Sequence, residues 1–146
     1  MTVHIINNSK IRIKTQPIKR KLYKILSFLS LRDYNLNISF VDNSEIRRLN
    51  KKYRNIDRAT DVLSFSMFEG KFSNINPSKE MGDIVISSDI AKKFSNEHNI
   101  SIEENICLLS IHGILHITGF DHDSKKKRND MRQMEDLLKK LINEAQ

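Results

Sequence analysis

The segment from His112 to His122 constrains the fold of this chain more than any other part of the sequence. It reads HGILHITGFDH, with histidines at positions 112, 116 and 122 and a glycine at position 119. Four residues of an α-helix advance about 6 Å and return to nearly the same face, so a helix here would bring His112 and His116 together. Gly119 permits the backbone to leave the helix, and His122 can then approach the same point from another direction. We therefore predict a helix that ends near Gly119 and is followed by a turn.

The three histidines form a candidate metal site. A pair of histidines at helical spacing is common by chance, but three of the five histidines in the chain fall within residues 112–122. Three neutral imidazoles leave one position of a tetrahedral ion open, as in catalytic zinc sites, whereas structural zinc usually has four protein ligands. Nickel and copper also bind imidazole well. We predict one divalent ion per chain, with zinc as the first choice, bound by His112, His116 and His122.

The neighbours of the histidines bear on the chemistry of such a site. Zinc peptidases of the metzincin type share the spacing HExxHxxGxxH, but Gly113 replaces the glutamate that acts as their general base. Asp121 and Asp123 flank His122 and can orient an imidazole or position water. Aspartates in a turn are also ordinary helix caps, and we favour that role for both. A peptidase with a nonstandard base, such as Asp121, stays open as an alternative.

The composition indicates one folded domain and suits a polyanionic partner. Hydrophobic residues make up 38% of the 146 residues and charged residues 29%, which is typical of a globular domain. The formal net charge is +7. Lysines and arginines concentrate at residues 10–24, 51–58 and 125–128. Such clusters favour a polyanionic partner, although solvated helix faces explain many basic proteins equally well.

Cysteine content and hydropathy predict a protein of the cytoplasm. Cys107 is the only cysteine, so no disulfide can form within the chain, and its apolar neighbours indicate a core position. The first residues lack the charged start and apolar stretch of a secretory signal, and no run approaches the length of a membrane span. We therefore expect a cytoplasmic protein with no membrane partner.

Apolar spacing predicts a mixture of strands and helices. Alternating or β-branched runs predict strands over residues 3–6, 36–41, 62–68 and 82–87. Helical spacing predicts helices over residues 16–31, 42–53, 88–97, 101–118 and 125–143. The predicted fold is an α+β single domain over residues 1–146, with a small mixed β-sheet and helices packed on it. The metal site is expected at a helix and the turn that follows it.

Capping residues predict where three of these helices begin. Asp42 followed by Glu45, and Ser101 followed by Glu104, each match the spacing of a capping box. Ser88 or Asp89 is expected to start the helix between them. These positions fix the helix starts, because capping side chains bind the backbone N–H groups that a helix leaves unpaired.

Four separated stretches, met in order along the chain, resemble one known family. They are LNKKYR at residues 49–54, TDVLSF at 60–65, GDIVI at 82–86 and the histidine stretch at 111–122. Together they resemble the YbeY family of bacterial metal-dependent endoribonucleases over nearly the whole chain. The resemblance implies that the three histidines bind zinc and that Arg54 is a functional arginine near the metal. A guanidinium can bind a phosphate through two hydrogen bonds, although an arginine at a helix end is otherwise an ordinary solvated charge.

The resemblance also implies an activity and a set of partners. Members of this family cleave single-stranded RNA, mature the small-subunit (16S) rRNA and act in ribosome quality control, so rRNA and ribosomal particles are the expected partners. The positive net charge and the absence of a peptidase base agree with this implication. Besides the peptidase, one further alternative stays open, which is a non-catalytic RNA-binding factor in ribosome assembly whose metal stabilises the fold.

Overall fold

A four-stranded mixed sheet lies at the centre of the computed structural model, which describes residues 3–68, 79–120 and 124–143. The strands are β1 (Val3–Asn7), β2 (Asn35–Val41), β3 (Val62–Ser66) and β4 (Glu80–Ser87). The helices are α1 (Thr15–Phe28), α2 (Asn43–Arg54), α3 (Ser88–His98), α4 (Ile102–Ile117) and α5 (Lys125–Asn143). The α+β fold predicted from the sequence is confirmed.

The strands lie in the order β1-β2-β4-β3. The β1–β2 and β2–β4 pairs are parallel, and β3 runs antiparallel to β4 at the edge of the sheet. In the β3–β4 pair, Leu63 lies opposite Val85. The strand predicted over residues 62–68 ends earlier, at Ser66, because the hydroxyl of that residue bonds the Phe68 N–H and turns the chain out of the ladder.

Alternation along β2 separates two hydrophobic clusters on opposite faces of the sheet. Leu36, Ile38 and Phe40 belong to the main core, whereas Val41 packs in a smaller cluster with Ile46 of α2. Most side chains of α4 are buried, because this helix contacts β3, β4 and the helices α1, α3 and α5. No single helix of the described residues is long and apolar enough to span a membrane, and α3 with α4, bent by 117°, meets the length and composition criteria only as a pair.

The capping bond predicted at the start of α4 is present, whereas the one predicted at the start of α2 is not. The Oγ atom of Ser101 accepts a hydrogen bond from the Glu104 N–H at 3.0 Å and so caps α4. Asp42 precedes α2, but its side chain makes no capping bond. Instead, its Oδ1 atom accepts from the Lys10 N–H at 3.3 Å. A loop distant in sequence thus uses the carboxylate that was expected to cap the helix.

The start of α3 explains what caps α2. The N–H of Asn43, the first residue of α2, donates to Oδ2 of Asp89 at 2.8 Å. The helix α3 begins at Ser88, which was one of the two predicted starts. Its capping side chain is that of Ser87, whose Oγ atom accepts a hydrogen bond from the Ile90 N–H at 3.1 Å. Asp89 therefore stabilises the neighbouring helix, because the two helix starts lie side by side.

Residues with positive φ lie at the ends of four helices, and those at the ends of α2 and α3 are Asn55 and Asn99. Ser30 has a φ of 59°, so α1 stops at Phe28 and does not reach the predicted residue 31. Gly119 has a φ of 106°, a conformation that side chains disfavour, and α4 ends just before it at Ile117. The predicted stop at Gly119 is therefore confirmed.

Cys107 is expected to be chemically inert in the folded protein. The residue is 1% exposed, and burial raises the pKa of its thiol to about 11. Because the thiolate is the reactive form, iodoacetamide at pH 8 should alkylate the native protein at least about 100-fold more slowly than protein unfolded in guanidinium chloride. Mass spectrometry of quenched time points gives both rates. Equal rates would show that this thiol reaches solvent.

Candidate metal centre

The helix α4 brings two of the predicted metal ligands together. The Nε2 atoms of His112 and His116 are 3.1 Å apart, and the two rings meet at 73°. Two imidazole nitrogens on one tetrahedral zinc ion, with Zn–N distances of about 2.0–2.1 Å, are separated by about 3.4 Å. The pair therefore needs only a slight opening to share an ion. The same 3.1 Å also suits a hydrogen bond between the rings when one Nε2 carries a proton.

Glu135 of α5 orients the first of these imidazoles. Its Oε1 atom lies 3.1 Å from Nδ1 of His112, and the two side chains are partly buried, with 22% and 33% exposed. In the tautomer with a proton on Nδ1, His112 donates a hydrogen bond to this carboxylate. The lone pair of Nε2 is then available to a metal ion, an arrangement that recurs behind zinc-binding histidines. These donors fit a divalent ion.

Sequence reasoning missed Glu135. It lies next to the buried face of α5, which includes Met131 and Leu138, and nothing in its spacing relates it to a histidine 23 residues away. A carboxylate at the border of an apolar stripe was the only available signal. Such residues are common on amphipathic helices, so the signal identifies no partner.

The remaining predicted site residues near the histidines lie outside the described part of the chain. These are His122, the predicted third ligand, and its neighbours Asp121 and Asp123. Within residues 3–68, 79–120 and 124–143, no group of three or more His, Cys, Asp or Glu side chains is placed to bind a metal. The described centre is thus a pair of imidazoles, and the third ligand stays a prediction.

Arg54 lines the same cleft as the two histidines. The cleft has a volume of about 510 Å³ and lies between the end of α2, the strand β3 and the helix α4. The Nη2 atom of Arg54 donates to the Ser64 carbonyl at 3.0 Å, and the guanidinium carbon is 5.9 Å from the centre of the Phe65 ring. These contacts orient an exposed arginine along β3. Residues far apart in the sequence therefore meet in one cleft, with a guanidinium beside a pair of imidazoles.

A hydrogen bond joins β3 to the end of the histidine helix. The hydroxyl of Ser66 donates to the Ile117 carbonyl at 3.1 Å. That carbonyl belongs to the last turn of α4, where a helix leaves its acceptors unpaired. Both residues line the cleft, so this bond fixes the wall of the cleft beside His116.

Gly113 lies on the face of α4 that packs against the sheet. A Cβ atom at this position would lie 2.8 Å from Cδ1 and 3.1 Å from Cγ1 of Ile84. Any side chain at this position would have to displace Ile84, which is fully buried. Residue 113 therefore cannot supply a general base in the manner of a metzincin, and a peptidase would need its base elsewhere.

Known proteins resemble this chain over most of its length. The family model described as Endoribonuclease YbeY matches residues 4–143. A protein described as Endoribonuclease YbeY from Clostridioides difficile (strain 630) is 42% identical over 111 residues, which cover 75% of this chain and 72% of that protein. Its counterpart from Geobacter metallireducens is 38% identical over 136 residues, or 92% and 89% of the two chains. A solution structure of a Thermotoga maritima protein matches with a TM-score of 0.68 and 28% identity, covering 96% of this chain and 88% of that one.

Zinc affinity should depend on His116 and, to a smaller degree, on Glu135. We expect His116→Ala to lose the ion, because it removes a ligand, and Glu135→Gln to weaken binding about 10- to 100-fold, the usual effect of losing a carboxylate behind a ligand imidazole. Competition against a chromophoric chelator measures each Kd. Asp136→Asn, at the next and exposed residue of α5, is the matched control. Unchanged affinity in His116→Ala would remove the histidine pair from the metal site.

Proposed function

Because this chain belongs to the endoribonuclease YbeY family, we propose that it is a metal-dependent endoribonuclease specific for single-stranded RNA. The proposed substrate is rRNA, in maturation of the small-subunit (16S) rRNA and in ribosome quality control, so ribosomal particles are proposed partners. Zinc is the proposed ion and the cytoplasm the proposed compartment. The formal net charge of +7 supports an RNA partner, since phosphate contacts by Lys and Arg dominate nucleic-acid affinity.

The convergence of Arg54 with His112 and His116 in one cleft carries this proposal. A phosphodiester that enters this cleft, whose volume is about 510 Å³, would contact a guanidinium and two imidazoles. When bound, a zinc ion supplies Lewis-acid polarisation of a phosphate oxygen and activation of water. The rest of the catalytic arrangement consists of side chains of this chain.

Each described side chain has a distinct proposed role. Arg54 binds the scissile phosphate and neutralises the charge that develops on it, while its bond to the Ser64 carbonyl keeps the guanidinium aligned along β3. His112 and His116 bind the ion through Nε2. Glu135 positions His112 by accepting the hydrogen bond of Nδ1. The phosphate site and the ligand site are thus supported by different elements of the fold.

Two other functions make different predictions for the same purified protein. A zinc peptidase would hydrolyse a generic protein substrate such as casein, and an RNA-binding assembly factor would bind RNA without cleaving it. We propose to incubate the protein with single-stranded RNA, duplex RNA and casein, each with and without a chelator. Chelator-sensitive cleavage of single-stranded RNA alone is the expected result. Cleavage of casein, or RNA binding without turnover, would replace the proposal with one of these two functions.

Arg54→Ala should reduce cleavage of single-stranded RNA by about 100-fold or more, the order that one lost transition-state donor costs. Arg54→Lys should recover only part of this loss, because an ammonium keeps the charge but cannot make the two-pronged contact. Zinc content and thermal stability should stay close to those of the unmodified protein. Initial rates with a fluorescent oligonucleotide, measured beside metal content and Tm, check all three statements.

Lys126→Ala is the control for the general basic surface, since Lys126 is exposed at the start of α5. It should change the cleavage rate little. If Arg54→Ala cleaves at the rate of the unmodified protein, Arg54 is a surface charge and the phosphate role is wrong. If Arg54→Ala loses zinc or unfolds, the arginine is structural and the family role does not transfer to this chain.

A further inference from the structure

A second pocket lies directly beside the cleft that contains Arg54 and the histidines. Its volume is about 290 Å³, and it is bounded by α3, α4 and α5. Asp61 and His112 line both spaces, so the pocket adjoins the cleft. Sites for small molecules usually measure about 300–1,000 Å³. This pocket lies at the lower limit of that range, so it can hold one ring system but not a length of strand.

Phe94 of α3 supplies an aromatic ring to the pocket. The residue is 40% exposed, and its ring stacks on that of His98 with centroids 3.8 Å apart and an angle of 14° between the planes. His98 is itself anchored, because its Nδ1 lies 3.0 Å from the Phe94 carbonyl oxygen. A single exposed phenylalanine is unremarkable on a protein surface. Phe94 differs because a second, anchored ring fixes its orientation in the lining of a pocket that adjoins the candidate active site.

The charges of the pocket select against a phosphate. The carboxylates of Asp61 and Glu135 line it, together with the single ammonium of Lys139, whereas Arg54 lines only the neighbouring cleft. A phosphate would be repelled by the carboxylates, but an uncharged heterocycle with N–H groups would find acceptors. Asn105, which is 4% exposed, also lines the pocket.

The carboxamide of Asn105 is held in a defined orientation. Its nitrogen donates to the Ala91 carbonyl at 3.1 Å, and its side-chain oxygen has no hydrogen-bonding partner in the described part of the chain. That oxygen is an acceptor that a ligand N–H group can use. The pocket thus combines an aromatic face, apolar walls and hydrogen-bond acceptors, which is the combination by which proteins bind an unstacked nucleobase.

We propose that this pocket binds one nucleobase of a single-stranded RNA whose scissile phosphate lies in the adjacent cleft, with Phe94 as the stacking surface and His98 as its support. The proposal rests on the proposed endoribonuclease function and deepens it. A base that is paired and stacked in a duplex cannot enter such a pocket, so the pocket supplies a physical reason for preferring single strands.

The test combines variants of the protein with abasic positions in the RNA. Cleavage of a fluorescein-labelled, mixed-sequence oligoribonucleotide is mapped first, and the base is then removed at each of the positions flanking the cut. The variants are Phe94→Ala, Phe94→Trp and the control Phe28→Ala. Phe28 is 49% exposed at the end of α1 and lines neither space. The measured quantities are kcat/KM for cleavage and Kd from fluorescence anisotropy.

One abasic position should lower kcat/KM about tenfold for the unmodified protein, the order that one lost stacked base costs. The same penalty should appear with Phe28→Ala and Phe94→Trp, which keep the ring in the pocket. Phe94→Ala should cleave intact RNA about tenfold more slowly and show no further abasic penalty, because the stacking surface is already gone. An abasic penalty that persists in Phe94→Ala overturns the proposal.

The binding measurement separates failure of this proposal from failure of the proposed function. If the unmodified protein cleaves no RNA, the endoribonuclease proposal is wrong. The nucleobase proposal is then tested by binding alone, and it holds only if Kd depends both on the base and on Phe94. Sedimentation velocity tests whether the same pocket instead binds a second copy of this chain. If Phe94→Ala abolishes a self-association and leaves the base dependence unchanged, the pocket is a protein interface and the nucleobase proposal is wrong.

Discussion

The packing of α4 against the sheet is the interaction on which both the core and the candidate site depend. Gly113 allows the helix to approach Ile84 so closely that even a methyl group would crowd that side chain. His112 and His116 project from another part of the same helix into the cleft. Because the helix is buried among β3, β4 and three other helices, the two imidazoles are positioned by the core itself. A metal-binding pair on a rigid element loses little entropy when it binds an ion.

Charge divides the surface beside this helix into two regions. Arg54 lines the cleft beside β3, where a phosphate is favoured, and the carboxylate of Glu135 lines only the pocket beside α5, where it is not. Asp61 lines both spaces. His112 stands between them and lines both spaces. An RNA strand contains an anionic backbone and uncharged bases, so an adjoining pair of spaces with opposite preferences can orient it. The net positive charge of the chain alone would only attract RNA.

Local signals in the sequence predicted a large part of the fold. Alternation at Leu36, Ile38 and Phe40 predicted the inner face of β2, and Gly119 predicted the end of α4, because both depend only on backbone geometry and side-chain periodicity. The same reasoning located the starts of α2 and α3 but did not identify the side chains that cap them. Asp89 bonds the first N–H of α2, and this depends on the packing of two helices that are distant in sequence.

The candidate site was predictable to a smaller extent. Helical spacing brought His112 and His116 together, whereas the placement of Arg54 in their cleft was expected only from resemblance to a family. Glu135 and the pocket around Phe94 depend on how α3 and α5 pack against α4, and no periodicity encodes that packing. Residues of a site that come from one helix are therefore accessible to sequence reasoning, and those contributed by packed neighbours are not.

We propose that one ion bound by the histidines of this chain is required to cleave RNA. The most direct measurement is the cleavage rate of single-stranded RNA by metal-free protein as zinc is added back in known amounts, with His116→Ala titrated in parallel. We expect no cleavage without metal, a rise in rate that ends at about one equivalent of zinc per chain, and no rise for His116→Ala. Cleavage by the metal-free protein at the full rate would contradict this proposal.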